Sequence, residues 1–137
     1  MSDPSLALQG AIVARLKGSP PLVALIADRV FDEVKAGAAF PYLTIGDGQV
    51  IGDDDECSET SEVTFQIHAW SRSPADTGYP KIKSILSAVR TAMRVPLTLD
   101  GFDLLSQEFT QTQFLREPDG GLTRHAVIEF RFIIVHP

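Results

Sequence analysis

Glu62-Val63-Thr64-Phe65-Gln66-Ile67-His68-Ala69-Trp70-Ser71 places apolar and polar side chains at alternate positions. A period of two marks a strand with one buried and one wet face. Val63, Phe65, Ile67 and Ala69 point to a core; Thr64, Gln66, His68 and Trp70 point away. The same period recurs in 122–135, where Ala126, Ile128, Phe130, Phe132 and Ile134 alternate with Val127, Glu129, Arg131 and Ile133. Between these strands, Ser73-Pro74-Ala75-Asp76 is turn-prone and leads into an amphipathic helix. Ile82, Ile85, Leu86, Val89 and Met93 share its apolar face, Lys81, Lys83 and Arg90 lie on the flanks, and Pro96 stops it. Phe102 to Phe114 is extended, with a break in alternation at Leu104-Leu105 that predicts a bulge. Glu117-Pro118-Asp119-Gly120-Gly121 is a turn, so 102–135 forms one long hairpin.

Upstream, Leu8, Ile12 and Leu16 fall four apart, as in a helix with Ser2 or Asp3 as its cap, Pro4 in its first turn and Gly18 at its end. Leu22 to Ile26 predicts a short helical turn, Asp28 to Asp32 a short extended piece and Val34 to Ala39 a loop. A strand begins at Phe40-Pro41-Tyr42-Leu43-Thr44-Ile45-Gly46 and continues past Gly46 and Gly48 to Val50 through a bend or bulge. The expected fold is therefore α+β: two helices on one face of a mostly antiparallel sheet of about four strands, ending in a long β-hairpin, in a single domain over 1–137.

The chain has 137 residues, 44% hydrophobic and 22% charged, which suits one domain with a full core. No apolar run approaches the roughly 18 residues of a membrane span. The N-terminus lacks the pattern of a signal peptide, so a cytoplasmic protein is expected. One cysteine, Cys57, excludes an intrachain disulfide. Of 18 acids, six (Asp53, Asp54, Asp55, Glu56, Glu59 and Glu62) lie between Ile51 and Glu62 with no base among them. The remaining acids equal the 12 bases in number, so the whole net charge of −6 sits in one segment. No basic concentration suited to a phosphate backbone is present, which argues against sequence-specific DNA binding.

Chemistry is sparse. Consecutive acids at Asp53 to Glu56 lack the alternate spacing, central glycine and terminal glutamate of a calcium loop, and read as a solvated, self-repelling loop. His68 and His125 fall on the polar sides of their strands with no metal-ligand spacing between them, and are expected to be exposed and unpartnered. His136 is expected to fray. The acids around Cys57 oppose thiolate formation. Gly46-Asp47-Gly48 lacks the third glycine, lysine and following helix of a phosphate loop. No catalytic, cofactor or metal site is therefore expected, and the chain is not expected to be an enzyme. Two readings of Trp70 stand: packing under a loop, or a subunit interface. Gln107, Thr110, Gln111, Thr112 and Gln113 carry the same ambiguity, their alternative use being a neighbouring chain.

The order of segments resembles that of the tail-completion or tail-terminator proteins of long-tailed phages and phage-like gene transfer agents. The likeness rests on Leu6 to Ile12, on Leu22-Val23-Ala24-Leu25-Ile26 leading into Arg29-Val30-Phe31-Asp32, on Ala38 to Gly46, on Val63 to Arg72 with its Trp-Ser pair, on the helix from Lys81 to Met93 and on the final hairpin. It covers nearly the whole chain; the acidic length of 51–62 matches no family pattern. The resemblance implies a virion protein that caps the head-proximal end of the tail tube as a hollow ring, usually a hexamer. It would stop tube growth and offer a surface for head joining, with the tail tube protein and a head-completion protein as partners, and DNA would pass through without specific binding. Asp53, Asp54, Asp55, Glu56, Glu59 and Glu62 would then rim the channel or contact an adjoining ring. A head-completion or adaptor protein of the same particle is the alternative, and a small metal-dependent cytosolic enzyme a third.

Overall fold

The computed structural model describes residues 3–52, 59–72, 78–120 and 122–137. The elements are α1 (Ser5–Lys17), α2 (Pro20–Ile26), β1 (Val30–Phe31), β2 (Tyr42–Gly52), β3 (Thr60–Arg72), α3 (Pro80–Ala92), β4 (Asp103–Arg116) and β5 (Thr123–Val135). The five strands form one sheet in the order β1-β2-β3-β5-β4. The described residues thus hold three helices and five strands, against the two helices and about four strands expected. The sheet is mixed, because β1 pairs in parallel with β2. β1 has only two residues, too few for a periodic signal.

β3 and β5 form the centre. They pair without interruption from Thr60↔Val135 to Arg72↔Thr123, and their apolar sides share one face. Val63, Phe65, Ile67 and Ala69 are buried there with Ala126, Ile128, Phe130, Phe132 and Ile134. The helices cover that face. Leu8, Ile12 and Leu16 of α1, Leu22 and Ile26 of α2, and Ile82, Ile85, Leu86 and Val89 of α3 complete the core. α3 packs on β3 and β5 and α1 on β1 and β2; α2 touches both of these helices, which also touch each other.

The C-terminal end of α3 is clamped by side chains from two other elements. A helix end leaves carbonyl groups without intrahelical partners. The Arg15 guanidinium donates to Ala92 O (2.9 Å) and Val95 O (2.6 Å). From β4, Gln107 Nε2 donates to Met93 O (2.7 Å) and Gln107 Oε1 accepts the Leu97 N–H (2.9 Å). Gln107, a candidate interface residue by sequence, is therefore engaged within the chain.

Both outer long strands are irregular where the central pair is regular. β2 shifts register between Thr44 and Asp47, and β4 shifts at Leu105 and at Thr110. The bulge expected near Leu104-Leu105 is present; the one at Thr110 had no sequence signal. Gly46 sits in the β2 irregularity at φ 113, a conformation glycine adopts without steric cost. Gly48 faces Phe65, and a Cβ there would collide with the Thr64 carbonyl.

Two substitutions test this account. Gln107→Ala should lower unfolding free energy by about 1–3 kcal/mol, because it strands partly buried backbone groups, whereas exposed Thr110→Ala should stay within about 0.5 kcal/mol. Gly48→Ala should cost about 1–3 kcal/mol through the forced backbone shift. Urea unfolding of each variant measures both.

Candidate functional site

Two surfaces of the sheet carry groups that the core does not use. The first is the face away from the helices. Trp70↔His125 and His68↔Val127 are cross-strand pairs there, and Thr44 of β2 lies opposite His68. The Trp70 and His125 rings stack at 3.8 Å with 8° between planes, and Trp70 Nε1 donates to Thr44 Oγ1 at 3.0 Å. His68 Nδ1 lies 2.7 Å from His125 Nε2, and His125 Nδ1 lies 2.8 Å from Glu117 Oε1. The histidines expected to be exposed and unpartnered are therefore packed together: His125 is 8% exposed, and His68 is half-buried beside it.

One proton assignment satisfies these distances with both rings neutral. His68 Nδ1–H donates to His125 Nε2, and His125 Nδ1–H donates to Glu117. His68 Nε2 is left as the titrating position. Asp47 Oδ2 lies 2.9 Å from it, a carboxylate placed to pair with the ring once that nitrogen is protonated. Asp47 reaches this face because of the β2 bulge: the extra residue shifts side-chain parity and turns Asp47 outward, opposite Gln66. Burial pushes the His68 pKa below its ordinary value; repulsion from His125 adds to this, while Asp47 opposes it.

The second surface lies between α3 and β4. β4 forms the sheet edge beyond β5. Lys83, Ser87, Arg90, Phe109, Thr112 and Phe114 line a cleft there. The Arg90 guanidinium sits 3.9 Å above the Phe109 ring and the Lys83 ammonium 5.1 Å from the Phe114 ring, distances that favour cation–π attraction.

The residues singled out by sequence fall in different places. Asp53, Asp54, Asp55 and Glu56, with Cys57, lie outside the described residues. The Glu59 carbonyl accepts the His136 N–H at 3.0 Å, so that end of the chain is tied down, and Phe102 packs edge-on against the His136 ring. Glu62 belongs to β3, where its Oε1 accepts from Arg131 Nε at 2.6 Å; that bond holds its carboxyl below the usual range. Trp70 is half-buried in the stack described above. Gln111 and Thr112 border the cleft, while Thr110 and Gln113 are exposed. Sequence reading missed the histidine pair, because only the β3–β5 register brings the two rings together. Among the described residues, no three His, Cys, Asp or Glu side chains converge to hold a metal ion. No helix among them is long and apolar enough to cross a membrane.

The His68 environment predicts a pH dependence. A histidine whose pKa is depressed by folding binds fewer protons folded than unfolded between the two values, so its stabilising contribution is complete above the ordinary value of 6.5 and is lost as pH falls through the depressed one. The melting temperature should be flat above that value and decline in mild acid, before the carboxylates of Glu62 and Asp119, both held low, begin to protonate. His68→Gln should flatten the mild-acid part of the curve and leave the more acidic part unchanged. An unchanged slope between about pH 5 and 6.5 would remove this account of the pair.

The same fold occurs in solved structures. A chain from the "Virion of native gene transfer agent (GTA) particle" superposes with a TM-score of 0.88 at 23% identity, covering 98% of this chain and 99% of that one. The bacteriophage SPP1 gp17 protein superposes with a TM-score of 0.64 at 27% identity, covering 93% of this chain and 88% of that one. None of the curated proteins matches the chain. Residues 10–135 match the sequence profile described as tail completion protein gp17. That span takes in most of α1 and every element from α2 to β5, and the chain belongs to the tail completion protein gp17 family.

Proposed function

We propose that this protein completes the tail of a phage or phage-like particle by capping the head-proximal end of the tail tube. It would do so as a hollow ring, a homohexamer, that ends tube polymerisation and offers the joining surface to the head. Family membership over residues 10–135 is the observation that carries this reading. Its partners are the tail tube protein on one side and a head-completion protein on the other. Assembly takes place in the cytoplasm, and the protein then stays in the particle at the head–tail junction.

Two physical features support the ring. β4 presents a sheet edge of 14 residues, and open edges of that length invite pairing with another chain unless something covers them. In a closed ring the next subunit does so, through a heterologous contact repeated around the axis. The charge distribution suits DNA transit: outside 51–62 the chain is neutral, so the ring wall would not grip a phosphate backbone, and passage needs no specific binding.

Electron microscopy of particles from a strain lacking the gene tests the proposal. The expected result is filled heads beside unjoined tails of irregular or excessive length. Normal joined particles would overturn the assignment, and tails of correct length with emptied heads would move the protein to the head-completion side of the junction.

A further inference from the structure

The cleft between α3 and β4 has a composition unlike the rest of the molecule. Lys83 and Arg90 line its main cavity, of about 590 Å³. Arg94 continues the row into an adjoining hollow shared with Arg90 and Phe109. No acid lines either space. Positions 83, 90 and 94 are seven and four apart, so they form one flank of the helix and its continuation. None of the three has a carboxylate partner among the described residues. The protein carries a net charge of −6, and an uncompensated row of three cations runs against that balance.

The cleft is also apolar, and a bulge makes it so. Phe109 and Phe114 are five residues apart, which in a regular strand puts them on opposite faces. The register shift at Thr110 turns both toward α3, Phe109 opposite Phe130 and Phe114 opposite Ala126. They are 37% and 40% exposed. Alongside them runs the unpaired edge of β4, whose backbone groups can bond an extended segment.

We propose that this cleft receives Asp53-Asp54-Asp55-Glu56 of a second copy of the same chain. This rests on the ring reading given above and names its subunit contact. Charge complementarity selects this occupant. The two acids of 51–62 that the structure describes are already engaged, Glu62 with Arg131 at 2.6 Å and Glu59 near His136 at 3.9 Å. The four consecutive acids carry most of the chain's excess negative charge, and the cleft carries the matching excess of cations. Charge-assisted bonds from guanidinium to carboxylate are among the stronger polar contacts. Gly52 and Glu59, which flank these acids in sequence, lie at one end of the sheet, while Thr112, at the far end of the cleft, lies level with Ile128 and Ile67, six positions along β3 from Ser61, the partner of Gly52. That is about 20 Å along the strands and about 14 Å across three strand spacings. A tip that enters the next copy's cleft is a head-to-tail contact, the kind that closes into a ring.

Cys57, next to the acids in sequence, supplies the test. Ser87 lines the cleft and is exposed. In particles or purified protein carrying Ser87→Cys, diamide oxidation should produce a disulfide-linked ladder of this chain on non-reducing gels. Adding Cys57→Ser should abolish the ladder, and Gln66→Cys on the opposite face should produce none. Lys83→Glu with Arg90→Glu in the Ser87→Cys background should reduce the ladder tenfold or more. Protein present in joined particles without a ladder overturns this contact and leaves the ring reading intact. Protein absent from particles and monomeric in solution overturns both. A photoreactive benzophenone attached to Ser87→Cys, with Cys57→Ser, separates a peptide occupant from DNA. An adduct with residues 51–62 supports the proposal, and an adduct with packaged DNA overturns it in favour of a nucleic-acid groove.

Discussion

Everything else in this structure depends on the unbroken ladder between β3 and β5. Its pairs set core residue against core residue: Val63 with Phe132, Phe65 with Phe130, Ile67 with Ile128, Ala69 with Ala126. Burying one Phe, Ile or Val side chain contributes about 1.5–3 kcal/mol. A slip of one residue would turn one strand's row out to water and bring Thr64, Gln66 and His68 beneath the helices. The register is therefore strongly determined, and it in turn fixes which side chains meet on the opposite face. The Trp70–His125 stack and the His68–His125 contact are consequences of a register chosen by the core. They need no signal of their own.

The outer strands obey a different rule. β2 and β4 each flank the central pair, yet each changes parity along its length through a bulge. The change is small in backbone and large in chemistry. In β2 it takes Asp47 off the helix side and places its carboxylate near His68. In β4 the shift at Thr110 gathers two phenylalanines that the alternation had separated, and gives the α3–β4 cleft its floor. A regular sheet built from the same residues would have neither the Asp47–His68 contact nor that cleft. Both local groupings of interest thus arise where the sheet departs from regularity, in line with the usual place of bulges beside functional surfaces.

This explains which parts of the molecule were legible in the sequence. The central strands, α1 and α3 were readable because their apolar periods are long and unmixed. The same holds for the break at Leu104-Leu105, where two leucines interrupt an alternation. β1 was readable only as a short extended piece, since Val30 and Phe31 gain their strand character from parallel pairing with Leu43 and Thr44, a long-range contact without local signature. The bulge at Thr110 was not legible because Thr110 to Gln113 is uniformly polar, and the odd spacing of Phe109 and Phe114 is equally that of a regular strand with one ring on each face. The histidine pair was misread as two exposed side chains for a related reason: positions 68 and 125 are 57 residues apart, and only the register unites them. Trp70, by contrast, was correctly placed on the polar face, and the stack with His125 shows what a large ring does there inside one copy of the chain.

The two surfaces differ in whether their polar groups find partners within the chain. On the open face of the sheet, Arg131 bonds Glu62 and lies 3.7 Å from Glu108, Arg72 bonds Asp119, Gln66 bonds Glu129 and His125 bonds Glu117. That face is internally neutralised, and docking another chain on it would first require breaking bonds already made. On the helix side, the row of Lys83, Arg90 and Arg94 meets aromatic rings and no carboxylate among the described residues. A partner there gains charge pairing without displacing an existing pair, and it covers half-exposed phenylalanine at the same time. Long-range attraction between such a row and a carboxylate cluster also orients approach over about 8 Å at physiological salt. The molecule is therefore asymmetric in its charge pairing: one face is satisfied within the chain, and the cleft between α3 and β4 holds cations without a carboxylate among the described residues.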